Sequence, residues 1–276
     1  MLKDNTFGQY FPGESAFHKM DPRMKLIVAI LYIVIIFFAK NVLSFAFLVL
    51  ATLAMILASR LSLKVVLRGV RPVLIIILFT MVFNVLFTTD ETAKPLASFW
   101  IFDIYRQGII RAILMGLRVV ILVVSSGVLL TYTTSPLALS DAIERLLRPL
   151  KVIHVPVHEF AMMMTIALRF IPTLIEETDK IMSAQKARGA DFNSGSLVHR
   201  AKALIPILIP LFVSAFKRAE ELAVAMECRC YRGDKGRTKL RHLKYRMTDF
   251  VFLLMFVAAL VAIICINHFS PISISY

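Results

Sequence analysis

The sequence has 276 residues, of which 58% are hydrophobic and only 18% are charged, with a mean hydropathy of +0.76. A soluble fold of this length cannot bury so much apolar surface, so the composition excludes an ordinary globular protein and indicates a membrane protein. The formal net charge of +14 is compatible with nucleic acid, anionic lipid or an acidic protein as partner, and only the placement of the charges separates these.

Five apolar runs predict five membrane-crossing helices, because about 20 apolar residues span the hydrocarbon core. The first run is short, but Lys25 and Lys40 flank it and can reach both interfaces. The second run follows after two residues, which predicts a tight helical hairpin. The runs comprise residues 26–39, 42–58, 73–87, 109–133 and 249–267.

Basic residues are distributed unevenly between the connecting segments. They cluster before the first run, between the second and third, and throughout residues 134–248, whereas the alternate loops hold only Lys40, Lys94 and Arg106. The positive-inside rule therefore predicts a cytoplasmic N-terminus and an outer C-terminus. The predicted organisation is a transmembrane region of four spans (residues 1–133), a cytoplasmic segment (134–248), and a final span with an outer tail (249–276).

Two long amphipathic helices are predicted within the cytoplasmic segment. They cover residues 155–186 and 199–230, about 32 residues each, and both are apolar in the first half and charged in the second. The alternative that the apolar halves cross the membrane stays open. His158, Glu159 and Arg169 in the apolar half of the first helix, and the closely spaced prolines of the second, argue against it.

Both long helices end in an arginine between two small residues. A basic residue at a helix C-terminus can simply complement the macrodipole, which contributes about 0.3 to 1 kcal/mol. Two such ends on twin helices indicate a pair of cationic tips, with Gly189 and Gly233 as stop signals. The triplets are Ala187, Arg188 and Gly189 in the first helix, and Cys228, Arg229 and Cys230 in the second.

Sequence motifs of enzymatic chemistry are absent. Without G-x-x-x-x-G-K-[ST], H-E-x-x-H or G-x-S-x-G, and with scattered histidines, the sequence predicts no catalytic residue, no metal site and no cofactor. The basic segment shares its helices with long apolar faces, which disfavours nucleic-acid binding. Arg111 and Arg118 are exceptions to the apolar spans, and their role is open between a buried functional pair and a position at the interface.

The residues just before the first span resemble a family signature. Asp21 can cap the first helix and Pro22 suits its first turn. Together with Arg23 they lie in the run HKMDPRMKL, which resembles the LDPR-x-KL signature of the T-components of energy-coupling factor (ECF) transporters, the CbiQ/EcfT family, with Met20 in place of leucine. The arginine triplets resemble the X-Arg-X motifs at the ends of that family's coupling helices, although the second has cysteine on both sides. The resemblance covers essentially the whole chain.

The resemblance implies a non-enzymatic scaffold of an ABC-type importer in the bacterial plasma membrane, serving vitamin or metal-ion uptake. It implies two ABC-type ATPases bound at the two arginine triplets, a membrane-embedded S-component that captures the substrate, and membrane lipid as partners. The apolar halves would meet the S-component through residues such as Met162, Met163, Met164, Leu204, Ile205 and Ile207. The alternative is a secondary transporter or channel with its own substrate path, which needs ionisable or broken helices near mid-membrane.

Overall fold

The computed structural model describes residues 10–87, 97–99, 102–190, 192, 196–233 and 245–269. These residues are helical except for turns and a short antiparallel hairpin of β1 (Ala97–Phe99) and β2 (Phe102–Ile104). They divide into two units, which we call the bundle unit (Phe7–Ala142 with Leu243–Tyr276) and the long-helix unit (Ile143–His242). The predicted outer tail beyond residue 269 lies outside the described residues.

Seven helices belong entirely to the bundle unit among the described residues. A 3-10 turn, Arg71–Val73, joins the fourth to the fifth, and the sixth continues into a π-helix, Gly127–Thr131. The helices are α1 (Ala16–Lys19), α2 (Pro22–Phe38), α3 (Val42–Ser59), α4 (Leu63–Val70), α5 (Leu74–Phe87), α6 (Arg106–Ser126) and α10 (Met247–Phe269).

The remaining three helices include the two long ones. α7 (Pro136–Leu147) runs from one unit into the other and continues as a 3-10 turn, Arg148–Ile153. α8 (Val157–Ala187) and α9 (Leu197–Cys228) have 31 and 32 residues, close to the predicted length. The boundary predicted at residue 134 is a prediction about topology, and the division into units, which falls at Ala142, does not test it.

Six helices among the described residues are long and apolar enough to cross a membrane. They are Val42–Ser59, Leu63–Phe87, Arg106–Thr131, Val157–Ala187, Val198–Cys228 and Met247–Phe269. The remaining predicted span corresponds to α2, which has 17 residues. The long helices α8 and α9 are the least apolar of the six, with mean hydropathies of 1.2 and 1.4, and the alternative that their apolar halves cross the membrane stays open. The predicted fold, a helical polytopic membrane protein, is confirmed.

The core of the bundle unit lies around α2. Val28, Tyr32 and Ile35 recur at helical spacing on its buried face. The Tyr32 ring meets Phe256 of α10 edge-on with centroids 5.4 Å apart, and its hydroxyl bonds the Thr52 hydroxyl of α3 at 2.8 Å. One aromatic side chain therefore joins three helices, and its polar end is satisfied within the apolar core.

Glu177 ties the two long helices together. Its carboxylate accepts hydrogen bonds from the Ser214 hydroxyl and, at 3.0 Å, from the Arg218 guanidinium. Glu177 lies 11 residues before Arg188, and Arg218 lies 11 residues before Arg229. Each arginine therefore follows the tie by the same length of helix, about 16 Å at 1.5 Å per residue.

Candidate functional site

The first arginine triplet forms the C-terminal end of α8. The backbone N–H of Gly189 donates to the Lys186 carbonyl at 3.0 Å, and that of Ala190 donates to the Gln185 carbonyl at 3.0 Å. This pair of bonds is a Schellman turn, which satisfies the last carbonyls of a helix. Gly189 has φ +86°, a left-handed conformation that glycine adopts without steric cost. Arg188 is the capping residue directly before this turn.

The second triplet forms the same turn at the end of α9. The N–H of Cys230 donates to the Glu227 carbonyl at 2.8 Å, and that of Tyr231 donates to the Met226 carbonyl at 3.1 Å. Arg229 is the capping residue, as Arg188 is in α8. Cys230 takes the left-handed position with φ +55°, where a side chain costs about 1 kcal/mol. The two arginines are therefore placed by the same backbone geometry.

All six triplet residues are exposed. Neither arginine guanidinium contacts another described side chain through a hydrogen bond or an ion pair. Gly189 is the stop signal of α8, as predicted, but the prediction that Gly233 stops α9 is wrong, because Cys230 adopts the left-handed conformation three residues earlier. Of the apolar residues expected to meet an S-component, Ile207 is buried at 4% exposure and cannot contribute, whereas Met163, Met164, Leu204 and Ile205 are exposed.

Asp21, Pro22 and Arg23 form a buried joint between α2 and α10. The Asp21 carboxylate accepts the backbone N–H of Arg23 at 2.9 Å and so caps α2, with Pro22 in its first turn. The backbone N–H of Asp21 donates to the Asp249 carboxylate at 3.3 Å. The Arg23 guanidinium lies over the Tyr245 ring and donates to its hydroxyl at 3.1 Å. These contacts account for the signature residues by helix joining alone.

Lys25 extends this joint to the residues that follow the π-helix, whereas by sequence it is only a charge that flanks the first apolar run. It is 1% exposed, and its ammonium donates to the Thr133 carbonyl at 2.7 Å and to the Thr134 hydroxyl at 3.1 Å. Burial disfavours its charge, and the nearby carboxylates of Asp21 and Asp249 partly offset this cost. A buried lysine is stable only with such partners. The sequence signal that could have identified this residue is a lysine that lies between the acidic helix cap, Asp21, and the start of the first apolar run.

The π-helix that follows α6 is fixed by contacts around Tyr132. The backbone N–H of Tyr132 donates to the Gly127 carbonyl at 2.9 Å, and its own carbonyl accepts from Phe11 at 3.0 Å. A Cβ at Gly69 would collide with the Tyr132 hydroxyl, so glycine at 69 permits this close approach. The end of the span is therefore locked by α2, α4 and the segment before α1.

His18, in α1, has both ring nitrogens in hydrogen bonds. Its Nδ1 lies 2.6 Å from the Ser15 hydroxyl and its Nε2 lies 3.0 Å from the Phe11 carbonyl, a pattern that suits the neutral ring with the proton on Nε2. Burial lowers the pKa of His18 below its ordinary value of 6.5. The bond to the Phe11 carbonyl raises this pKa and the charge of Lys25 lowers it, and the net shift is downward. His18 is therefore held neutral.

Arg118 and Asn267 close the other end of α2, which answers the question that the sequence left open for Arg118. The Arg118 guanidinium donates to the Ala39 carbonyl at 2.7 Å, and the Asn267 amide donates to the Phe38 carbonyl at 2.7 Å. The last carbonyls of a helix need partners, and lipid offers none. These contacts give Arg118 a structural role at the end of α2. Arg111, on the same helix, is half-buried.

No group of three histidine, cysteine or carboxylate side chains comes together within the described ranges.

A sequence model of the CbiQ family, described as cobalt transport protein, matches residues 13–240, which include the signature and both arginine triplets. The chain belongs to this family. The resemblance stated from the sequence is thereby confirmed.

Relatives of this CbiQ-family chain carry the name energy-coupling factor transporter transmembrane protein EcfT. The Clostridium kluyveri protein is 50% identical over 272 residues, which is 99% of this chain and 98% of the relative. The Brevibacillus brevis protein is 51% identical over 263 residues, covering 95% and 98%. The Bacillus subtilis protein is 47% identical over 262 residues, covering 94% and 98%. The similarity therefore includes α10, beyond the part matched by the family model.

Proposed function

We propose that the chain is the transmembrane scaffold, or T-component, of an ECF-type importer and is not itself an enzyme. It couples ATP hydrolysis by two partner ATPases to the movement of a membrane-embedded, substrate-binding S-component. The observation that carries this proposal is the pair of matched helix ends, in which Arg188 and Arg229 occupy the same capping position of the same turn at equal lengths beyond the Glu177 tie. The EcfT name of the relatives supports it.

The two arginines suit contact with separate ATPase subunits. Both are exposed at the end of a long helix, and neither bonds another described side chain, so both guanidinium groups are available to a partner. A guanidinium stays charged when it is partly desolvated and binds a carboxylate through two parallel hydrogen bonds. The small residues beside each arginine allow the helix end to enter a groove. Two equal tips fit a pair of similar ATPases.

The tie at Glu177 makes the two long helices one mechanical element. A displacement of one tip is transmitted to the other helix through the bonds to Ser214 and Arg218, which lie one turn apart. The apolar first halves then offer the S-component an adaptable surface, with Met163 and Met164 exposed on α8 and Leu204 and Ile205 exposed on α9.

The cytoplasmic side is the place for both tips, because ATPases of this kind work where ATP is available. The distribution of basic residues supports this orientation, with the N-terminus in the cytoplasm and the chain in the bacterial plasma membrane. The residues that a substrate path would need are otherwise engaged, since Arg118 closes the end of α2. The substrate is then selected by the S-component.

Charge reversal at the tips tests the proposal. R188E and R229E should each weaken co-purification of the ATPases and uptake in vesicles, and the double variant should lose more than either. Breaking one side of a buried interfacial charge pair costs about 2 to 5 kcal/mol, whereas a solvated arginine at a helix end contributes at most about 1 kcal/mol. Binding of the ATPases should therefore fall by at least about tenfold in each single variant.

The matched controls are K180E and K217E, one on each long helix, because both lysines are exposed and the charge change is the same. Arg218 is unsuitable as a control, since it bonds Glu177. If the double tip variant assembles and transports like the parent, or if the control pair is equally damaging, only general electrostatic attraction remains.

A further inference from the structure

The segment between α7 and α8 is an exposed apolar protrusion that the proposed function does not use. Every residue from 147 to 156 is exposed. Val152 is 84% exposed, the highest value among the exposed valine, leucine and isoleucine side chains of the described residues, and Ile153 beside it is 73% exposed. Isolated exposed apolar residues are ordinary, but a contiguous group marks an interaction surface.

The backbone of this segment sorts its side chains into rows. Residues Arg148–Ile153 form a 3-10 turn, and side chains three apart in such a turn lie above one another. Arg148 and Lys151 therefore form a basic row, while Leu150 and Ile153 form an apolar row. Val152 stands above Pro149 in a third row, so two of the three rows are apolar.

The turn is held in shape at both of its ends. Pro149 restricts the first turn, as proline does where its missing N–H is not needed. His154 ends the turn in the left-handed conformation with φ +60°, and its N–H donates to the Lys151 carbonyl at 3.1 Å. Pro156 directly precedes α8. The protrusion is therefore preformed, and a binding partner would not have to order it.

The charged residues within the segment itself are all basic. No acidic residue lies between Glu144 and Glu159, whereas Arg145, Arg148 and Lys151 fall within that stretch. Glu144 itself bonds the His158 ring at 3.0 Å. A basic row beside two apolar rows is typical of elements that lie in the headgroup region of an anionic leaflet, with cations near phosphate and aliphatic side chains among the acyl chains.

We propose that the turn Arg148–Ile153 is a lipid-binding wedge for anionic phospholipid. Val152 and Ile153 enter the acyl boundary, and Arg148 and Lys151 contact headgroup phosphates. An anionic leaflet offers acyl chains and phosphates side by side along one surface, which matches the apolar rows and the basic row together. The wedge anchors the start of α8 to the membrane surface, at the end of α8 opposite to Arg188.

The test uses the full chain alone in lipid nanodiscs, in a background of C228S, C230G and C265S. A nitrobenzoxadiazole fluorophore is attached at V152C, and at K180C as the control, since Lys180 is an exposed polar position of the same unit. One set of nanodiscs contains phosphatidylcholine alone, and the other contains phosphatidylcholine with added phosphatidylglycerol. In both sets, brominated acyl chains of the lipid are the quencher. Quenching should be much stronger at position 152 than at 180, and stronger with phosphatidylglycerol.

Two variants separate charge from insertion. Each basic residue near an anionic leaflet favours binding by about fivefold, so R148E/K151E should lower the ratio of docked to undocked label by at least about tenfold in phosphatidylglycerol nanodiscs. I153S should lower quenching in both lipids, because it removes an inserted side chain. Unchanged circular dichroism and elution volume show that each variant is folded.

Three results would overturn the wedge. The first is equal quenching at positions 152 and 180 in anionic nanodiscs. The second is quenching at position 152 that changes neither with added phosphatidylglycerol nor with the R148E/K151E substitutions. Anionic lipid would then have no part in the contact. The third is fluorescence that reports an aqueous environment for the label at 152 in every lipid and an apolar environment only after a purified S-component is added. That result would assign the surface to a protein partner.

Discussion

Replacement of Lys25 by methionine tests the joint at the start of α2. The ammonium of Lys25 donates to the Thr133 carbonyl at 2.7 Å, to the Thr134 hydroxyl at 3.1 Å and to the Thr133 hydroxyl at 3.4 Å. Methionine keeps most of the length and volume of the stem, so the variant removes the charge and the three bonds without opening a large cavity.

The structure sets the expected loss of stability. Both threonine hydroxyls keep bonds to the Leu129 carbonyl, so only the Thr133 carbonyl loses its donor from Lys25 outright. Loss of a hydrogen bond to a charged group costs about 1.5 to 3 kcal/mol. The carboxylates of Asp21 and Asp249 also lose a favourable charge, but methionine removes a charge that burial disfavours, and these two effects oppose each other. K25M should therefore lower the free energy of unfolding by about 1.5 to 3 kcal/mol.

The measurement is unfolding by dodecyl sulfate in mixed micelles, with K19M as the matched control. Lys19 is exposed and lies six residues earlier, so K19M makes the same change in net charge and should cost less than about 0.5 kcal/mol. Equal free energies of unfolding for K25M and K19M would refute the reasoning, because the buried bonds would then contribute nothing beyond net charge.

Three further predictions are checked by the same unfolding measurement, except where hydrogen exchange is named. G69A should destabilise the chain by about 1 to 3 kcal/mol because its Cβ meets the Tyr132 hydroxyl, and Y132F added to it should restore most of the loss; no rescue would contradict this contact. C230G should stabilise the end of α9 against hydrogen exchange by about 1 kcal/mol, and G189A should destabilise the end of α8; effects of equal sign would contradict the left-handed assignment. Because the pKa of His18 is below 6.5 in the folded state, its contribution to the free energy of unfolding should be fully present above pH 6.5 and should decrease as the pH falls below that value. H18Q should flatten this pH dependence, and an unchanged pH profile in H18Q would exclude His18 as the cause.

Local patterns in the sequence predicted the helices well. The apolar runs predicted α2, α3, α5, α6 and α10 of the bundle unit but not α1 and α4. The alternation of apolar and charged halves predicted α8 and α9 close to their observed ends. Both arginine triplets lie at helix ends, as predicted, and Gly189 marks one of them. These features depend on residues within one or two turns of each other, so the order of the residues alone determines them.

The residue that ends α9 was predicted wrongly from the sequence. Glycine is the usual residue in the left-handed position, and Gly233 was the nearest glycine. In the structure Cys230 takes this position, because Tyr231 and Cys230 must donate to the last carbonyls of α9 at that point in the chain. The arrangement of hydrogen bonds at the helix end outweighs a side-chain preference of about 1 kcal/mol.

Only the tertiary structure decided what the polar residues at the ends of the spans do. Lys25 bonds Thr133, more than 100 residues away, and Asn267 bonds Phe38 across more than 200 residues. Arg118, an exception within an apolar span by sequence, caps the end of a neighbouring helix. A buried donor needs an acceptor wherever the packing of helices brings one, and that partner depends on the fold and not on spacing along the chain. The sequence by itself determined where the helices and their cationic ends lie, and the packing of those helices determined which charges are bound inside and which remain available to partners.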